Sequence, residues 1–181
     1  MTGDGIHWPG HGTTTEDVER LALGEALSLG ENAWHRIGKS HERLSRYLEE
    51  QRLIYGVTTG YGPLADTLVG GDYSEALQRN LIAHLSAGVG EPLSQEQTRA
   101  TMAARISALG LGASGISPSA LNQLLRCLNA GALPVVPAMG TVGASGDLTP
   151  LAHIAGALMG KGWIRHANGG AEPAAEVLER L

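Results

Sequence analysis

Two glycine-rich stretches and one histidine-bearing segment hold the residue types most able to do chemistry. The stretch Gly140-Thr141-Val142-Gly143-Ala144-Ser145-Gly146-Asp147-Leu148-Thr149-Pro150-Leu151-Ala152-His153 offers a hydroxyl, a carboxylate and an imidazole. By residue type alone it is a loop whose Asp147 caps the following helix. The tripeptide is uninformative by itself, because Ala113-Ser114-Gly115 repeats it where a helix-terminating turn suffices. The stretch Tyr55-Gly56-Val57-Thr58-Thr59-Gly60-Tyr61-Gly62 carries two phenols. A phenol titrates near ~10 in water, so a tyrosine base at neutral pH needs its phenolate stabilised by hydrogen bonds or helix N-termini. Gly60-Tyr61-Gly62-Pro63-Leu64-Ala65 has the spacing of a dinucleotide fingerprint, but Pro63 sits inside the required turn and no βαβ unit surrounds it. No nucleotide is expected. His84 lies in a helical segment, where a lone histidine is ordinarily a satisfied structural residue. His7 and His11 have chelating spacing only on a helix, which Pro9 and Gly10 forbid, and no third ligand is near. No metal is expected.

These residues must be positioned by helices. Thr13 with Glu16, or Thr14 with Asp17, would form a capping box, and helical spacing then continues to Gly30. A second helix over about 32–51 places Ile37, Leu44 and Leu48 on one face. The glycines of 54–62 predict a loop. Helices over about 73–87, 94–109 and 117–129 carry apolar residues at helical spacing. Leu133-Pro134-Val135-Val136-Pro137 cannot be helical, and 140–146 should form a loop buried between helices before a helix over 149–159. A hairpin or turn around Asn168-Gly169-Gly170 and a short helix over 173–181 complete the reading, with no internal repeat. The expected architecture is a single, mainly α domain over 1–181, with a flexible N-terminus at 1–12.

The composition sets outer bounds. The chain has 181 residues, 43% hydrophobic and 17% charged, enough for one core. Its 26 glycines follow no triplet period, which excludes a collagen reading. Thirteen Lys and Arg against eighteen Asp and Glu, with no basic run, argue against nucleic acid and anionic membranes as partners. The N-terminus lacks a secretory signal's basic and apolar regions, and no stretch approaches the ~20 apolar residues of a membrane span. A single Cys127 and no signal predict a cytoplasmic protein.

The 140–153 stretch resembles, nearly residue for residue, the prosthetic-group loop of the aromatic amino acid ammonia-lyases and aminomutases, the histidine, phenylalanine and tyrosine enzymes. The resemblance implies that Ala144-Ser145-Gly146 cyclises into 4-methylideneimidazol-5-one, with Asp147 assisting. The amide nitrogen of Gly146 must approach the carbonyl carbon of Ala144, and a residue without Cβ allows so tight an approach. Cyclisation and loss of the Ser145 hydroxyl each expel a water, leaving an electrophile that no encoded side chain supplies. The 55–62 stretch is similar to the family's mobile inner lid, whose leading tyrosine, here Tyr55, is the catalytic base. Tyr61 stands where the family usually has Phe. Asn80-Leu81-Ile82-Ala83-His84-Leu85-Ser86-Ala87-Gly88-Val89-Gly90 is similar to the helix that selects the substrate ring. A histidine at the His84 position pairs with a phenolic hydroxyl in tyrosine enzymes, and left unpaired it disfavours rings lacking one. Histidine lyases carry their own histidine one position on, at Leu85. Gly62 and Leu148 complete the implied substrate contacts, and His153 is expected to pack on the helix after the prosthetic group, in a structural role or one that supports the site.

By resemblance, the substrate amine adds to the methylidene carbon, Tyr55 removes a β-proton and ammonia leaves, giving coumarate from tyrosine. Re-addition of ammonia would make a β-amino acid instead, as in a tyrosine 2,3-aminomutase, with lid mobility deciding between the two. Phenylalanine or histidine lyase, and a non-catalytic scaffold or regulatory subunit, are the alternatives. The intact Ala144–Gly146 tripeptide and Tyr55 speak against degeneration. The resemblance covers about 13–181 and implies the N-terminal helical domain of the superfamily fold, without the long C-terminal helical bundle. The family's second catalytic tyrosine and carboxylate-binding arginine would lie in that missing part. A separate chain carrying it, in a tetramer-like assembly, is the expected partner.

Overall fold

The structure, a computed structural model, describes residues 5–141, 143, 146, 148–166 and 170–181. Seven α-helices dominate these residues, confirming the mainly α expectation. Helix α1 (Thr15–Ala22) starts at Thr14, whose side chain accepts the Asp17 N–H at 3.2 Å while the Asp17 carboxylate accepts the Thr14 N–H at 3.0 Å. Of the two expected capping boxes, the Thr14–Asp17 one forms.

That helix does not run to Gly30. Gly24 takes a φ of +113°, which ends the helical path, and residues 27–29 become extended. Strand β1 (Ile6–Trp8) pairs in parallel with β2 (Leu27–Leu29), so part of the N-terminus expected to be flexible is ordered. Trp8 anchors it, 5% exposed and packed against Gly110, where an added Cβ would lie 2.1 Å from the indole. The Asn129 side chain brackets Leu27 from 102 residues away, accepting its N–H and donating to its carbonyl, both at 2.8 Å.

Helix α2 (Glu31–Glu49) buries Ala33 and Ile37, but Leu44 is half-buried and Leu48 exposed, so its apolar face is shorter than the spacing predicts. Helix α3 (Gly71–Leu85) is followed by strand β3 (Val89–Pro92). Helix α4 (Gln95–Gly110) begins in a Ser94–Gln97 capping box, and α5 (Pro118–Ala130) begins at Ser117 and ends where Gly131 adopts a φ of +66°. Helix α4 packs against α1, α2 and α5, and its Met102 and Ile106 are fully buried with Leu121 and Leu128 of α5. Each such side chain contributes roughly 1.5–3 kcal/mol by leaving water.

The proline-rich stretch forms strands β4 (Leu133–Pro134) and β5 (Pro137–Met139), the latter antiparallel to β3. After helix α6 (Leu148–Leu158), strands β6 (Trp163–Arg165) and β7 (Ala171–Pro173) form the expected hairpin, with β4 on its other edge. Its turn at 167–169 lies outside the described residues. Helix α7 (Ala174–Arg180) packs on α6.

One charged group is buried at the centre. The Arg99 guanidinium, on a residue 8% exposed, donates to the carbonyls of Leu21 (2.7 Å), Leu128 (2.8 Å) and Glu25 (2.8 Å). It thereby ties the end of α1 and the following loop to the end of α5. Arg99→Met keeps the apolar stem but strands those acceptors, so the urea midpoint should fall by the equivalent of about 2–4 kcal/mol with an unchanged slope.

Candidate active site

The Tyr55 loop is held by short hydroxyl side chains. Thr58 Oγ1 accepts the Ile54 N–H at 2.8 Å and donates to the Arg52 carbonyl at 2.7 Å, closing the turn that presents Tyr55. Thr59, 5% exposed, accepts the Gly56 N–H at 3.2 Å. Ser74 of α3 donates to the Val57 carbonyl at 2.7 Å, fastening the loop to the helix that carries His84. These hydroxyls act through tertiary geometry that no spacing rule exposes, and the sequence reading did not single them out.

Tyr55 itself is 64% exposed, and its phenolic oxygen accepts the Gly62 N–H at 3.0 Å. The Tyr61 ring meets Tyr55 edge-on, with centroids 6.2 Å apart. Gly56 makes room for it, since an added Cβ would lie 2.6 Å from the Tyr61 ring. Burial pushes the Tyr61 phenol up, and a charged Tyr55 beside it adds to the effect. Gly62, expected at the substrate, meets the Tyr55 hydroxyl through its backbone N–H.

The second loop is fixed at its entrance and exit. The Thr149 hydroxyl donates to the Gly140 carbonyl at 2.8 Å, and an added Cβ on Gly140 would lie 2.7 Å from Thr149 and 2.9 Å from the Gly88 Cα. Gly88 follows α3, and its N–H donates to His153 Nε2 at 3.2 Å. Within the loop, Gly143 and Gly146 adopt φ values of +69° and +95°, the left-handed region that favours glycine. Ala144, Ser145 and Asp147 lie outside the described residues. The second copy of the tripeptide is differently employed. The Gly115 N–H donates to Ser40 Oγ at 3.0 Å and the Gly115 carbonyl pairs with His41 Nδ1 at 3.0 Å, binding that turn to α2.

Leu85 and Leu148 share one apolar groove of roughly 520 Å³, lined also by Leu81, Leu151, Ala152 and Ala155. His84 is exposed on α3, and its imidazole has no hydrogen-bond partner among the described residues. No hydrogen bond among the described residues joins Tyr55 to His84 or to Gly146. His7 pairs with Ser28 at 3.0 Å, and no cluster of three or more His, Cys, Asp or Glu occurs among the described residues. None of their helices is long and apolar enough to cross a membrane.

Comparison with known proteins completes this picture. Residues 13–181 match the family described as aromatic amino acid lyase. Histidine ammonia-lyase of Bos taurus is 46% identical over 154 residues, covering 84% of this chain and 23% of the bovine one. The crystal structure of tyrosine aminomutase from Streptomyces globisporus superposes with a TM-score of 0.90 at 34% identity, covering 98% of this chain and 33% of that one. The ergothionase of Treponema denticola, solved with desmethyl-ergothioneine sulfonic acid, gives 0.91 at 28% identity, with 98% and 35% covered. The chain thus spans between about a quarter and a third of these relatives. With a tyrosine-bearing glycine loop and an Ala-Ser-Gly loop on one helical scaffold, and a family match over nearly its whole length, the chain belongs to the aromatic amino acid lyases.

Proposed function

We propose that this chain provides the prosthetic-group and base-bearing portion of an ammonia-lyase acting on tyrosine. The Tyr55 phenol held by the Gly62 N–H carries this reading, because it supplies the hydrogen-bond donor that a phenolate base requires. The loop also suits the methylideneimidazolone expected from Ala144-Ser145-Gly146. Gly146 has the left-handed φ of a tight backbone path, and a Cβ placed there would meet nothing within 4 Å among the described residues. When formed, the group supplies an electrophile that turns the substrate amine into a better leaving group.

The chain's own residues do the rest. Tyr55 as phenolate takes the β-proton, the C–H electron pair becomes the new carbon–carbon double bond, and the carbon–nitrogen bond breaks to release ammonia. Leu85 and Leu148 offer apolar walls to an aromatic ring, and the unpaired His84 imidazole offers a phenolic hydroxyl a partner. A chain carrying the remainder of the lyase fold would cover the groove and shield Tyr55 from water; this partner belongs to the proposal. Retention of ammonia and its return to the β-carbon would make the same site an aminomutase.

A second reading, elimination from histidine, is favoured by the bovine relative and by the human one, a histidine ammonia-lyase 42% identical over 175 residues. The two readings separate in one assay. With the partner chain present, tyrosine should give the ultraviolet absorbance of coumarate, and Tyr55→Phe should lower the rate by at least about 10²–10⁴. Absorbance from histidine alone would replace the tyrosine reading. His84→Phe should lower kcat/KM for tyrosine relative to phenylalanine by about tenfold or more, and an unchanged ratio would remove His84 from ring selection.

A further inference from the structure

His153, on α6, is hydrogen-bonded to the backbone just beyond α3. Its Nε2 accepts the Gly88 N–H, so the neutral ring keeps its proton on Nδ1. Burial pushes the imidazole below its ordinary value, which holds it in this accepting form. The one ammonium lining the same hollow, Lys161, likewise disfavours a second positive charge. Gly88 lies four residues beyond His84 and three beyond Leu85, where the chain leaves α3 and enters β3. No side chain fits at Gly88, because an added Cβ would lie 2.9 Å from His153 Nε2 and 3.1 Å from Pro137. His153 itself rides on α6, whose first residue, Leu148, faces the same groove as Leu85.

We infer that His153 is a positioning residue: through the Gly88 N–H it sets where the ring-selecting end of α3 sits relative to the start of α6. This rests on the elimination site proposed above. The hydrogen bond fixes the backbone between Leu85 and β3, so its loss lets that end of α3 shift against α6. The base, Tyr55, hangs from the other end of α3 through Ser74 and is not displaced. The consequence is a defect in ring recognition rather than in proton abstraction.

The test compares wild type, His153→Leu and His153→Gln in the active assembly, reading hydrogen exchange at the Gly88 amide and kcat and KM for tyrosine, histidine and phenylalanine. Leucine removes the acceptor, whereas a glutamine amide oxygen can replace it. Exchange at Gly88 should accelerate by about tenfold or more in the Leu variant only. In that variant the preference for the favoured ring should fall by about tenfold, mainly through KM, and Gln should restore it. Faster exchange without loss of preference, or equal losses in both variants, would overturn the inference. If the wild-type assembly turns over none of the three amino acids, the elimination reading falls. The exchange rates then decide the contact alone: acceleration specific to Leu upholds it, and equal rates overturn it.

Discussion

Gly88 and Gly140 approach so closely that a single methyl group on Gly140 would lie 2.9 Å from the Gly88 Cα. At this point the end of α3 and the segment at Gly140 meet backbone to backbone, and the first turns of α6 reach them through the Thr149 and His153 side chains. Two hydrogen bonds lock the meeting point, from Thr149 to the Gly140 carbonyl and from Gly88 to His153. The strand pair β3–β5 leads away from it, with Val89 opposite Met139. Larger residues at either glycine would push α3 away from α6 and open the groove that Leu85 and Leu148 share. Packing at van der Waals distance transmits such displacements instead of absorbing them.

The residues proposed for the chemistry lie on loops, and the loops are stiffened by hydroxyls rather than by burial. Thr58, Thr59 and Ser74 hold the Tyr55 turn, and Thr149 holds the entrance of the second loop. Each contributes a modest hydrogen bond in net terms, but together they leave the loop backbones few alternatives. Tyr55 remains open to water in spite of this order. Its hydroxyl meets the Gly62 amide, a hydrogen bond that a drier surrounding would strengthen. Glycine is used for two distinct reasons in these loops. Gly140 is there for space and Gly146 for its left-handed φ, while Gly56, with a φ of +71°, is there for both.

Much of this arrangement could be read from the sequence where local chemistry sets it. Thr14, Ser94 and Ser117 announce helix starts because a capping hydroxyl acts within three residues. Gly131 and the prolines of 133–137 announce where helix must stop. The two loops were legible as motifs because their residue order matches a family. Contacts between distant segments were not legible. The Asn129 bracket on Leu27, the Arg99 guanidinium on three carbonyls and the parallel pairing of Ile6–Trp8 leave no period in the sequence. The same holds at the site, where the Tyr55–Gly62 and His153–Gly88 bonds depend on how the chain doubles back. Ala113-Ser114-Gly115 illustrates the limit: Ser40 and His41 of α2 bind its backbone, which nothing in the tripeptide announces.

The account turns on whether residues 144–146 condense, and mass spectrometry of the peptide spanning 140–153 measures that directly. The account predicts a peptide lighter than its sequence by two waters, with the loss abolished by Ser145→Ala and absent from the peptide containing Ala113-Ser114-Gly115. A peptide of full sequence mass, from a preparation that releases ammonia from an aromatic amino acid, would contradict it.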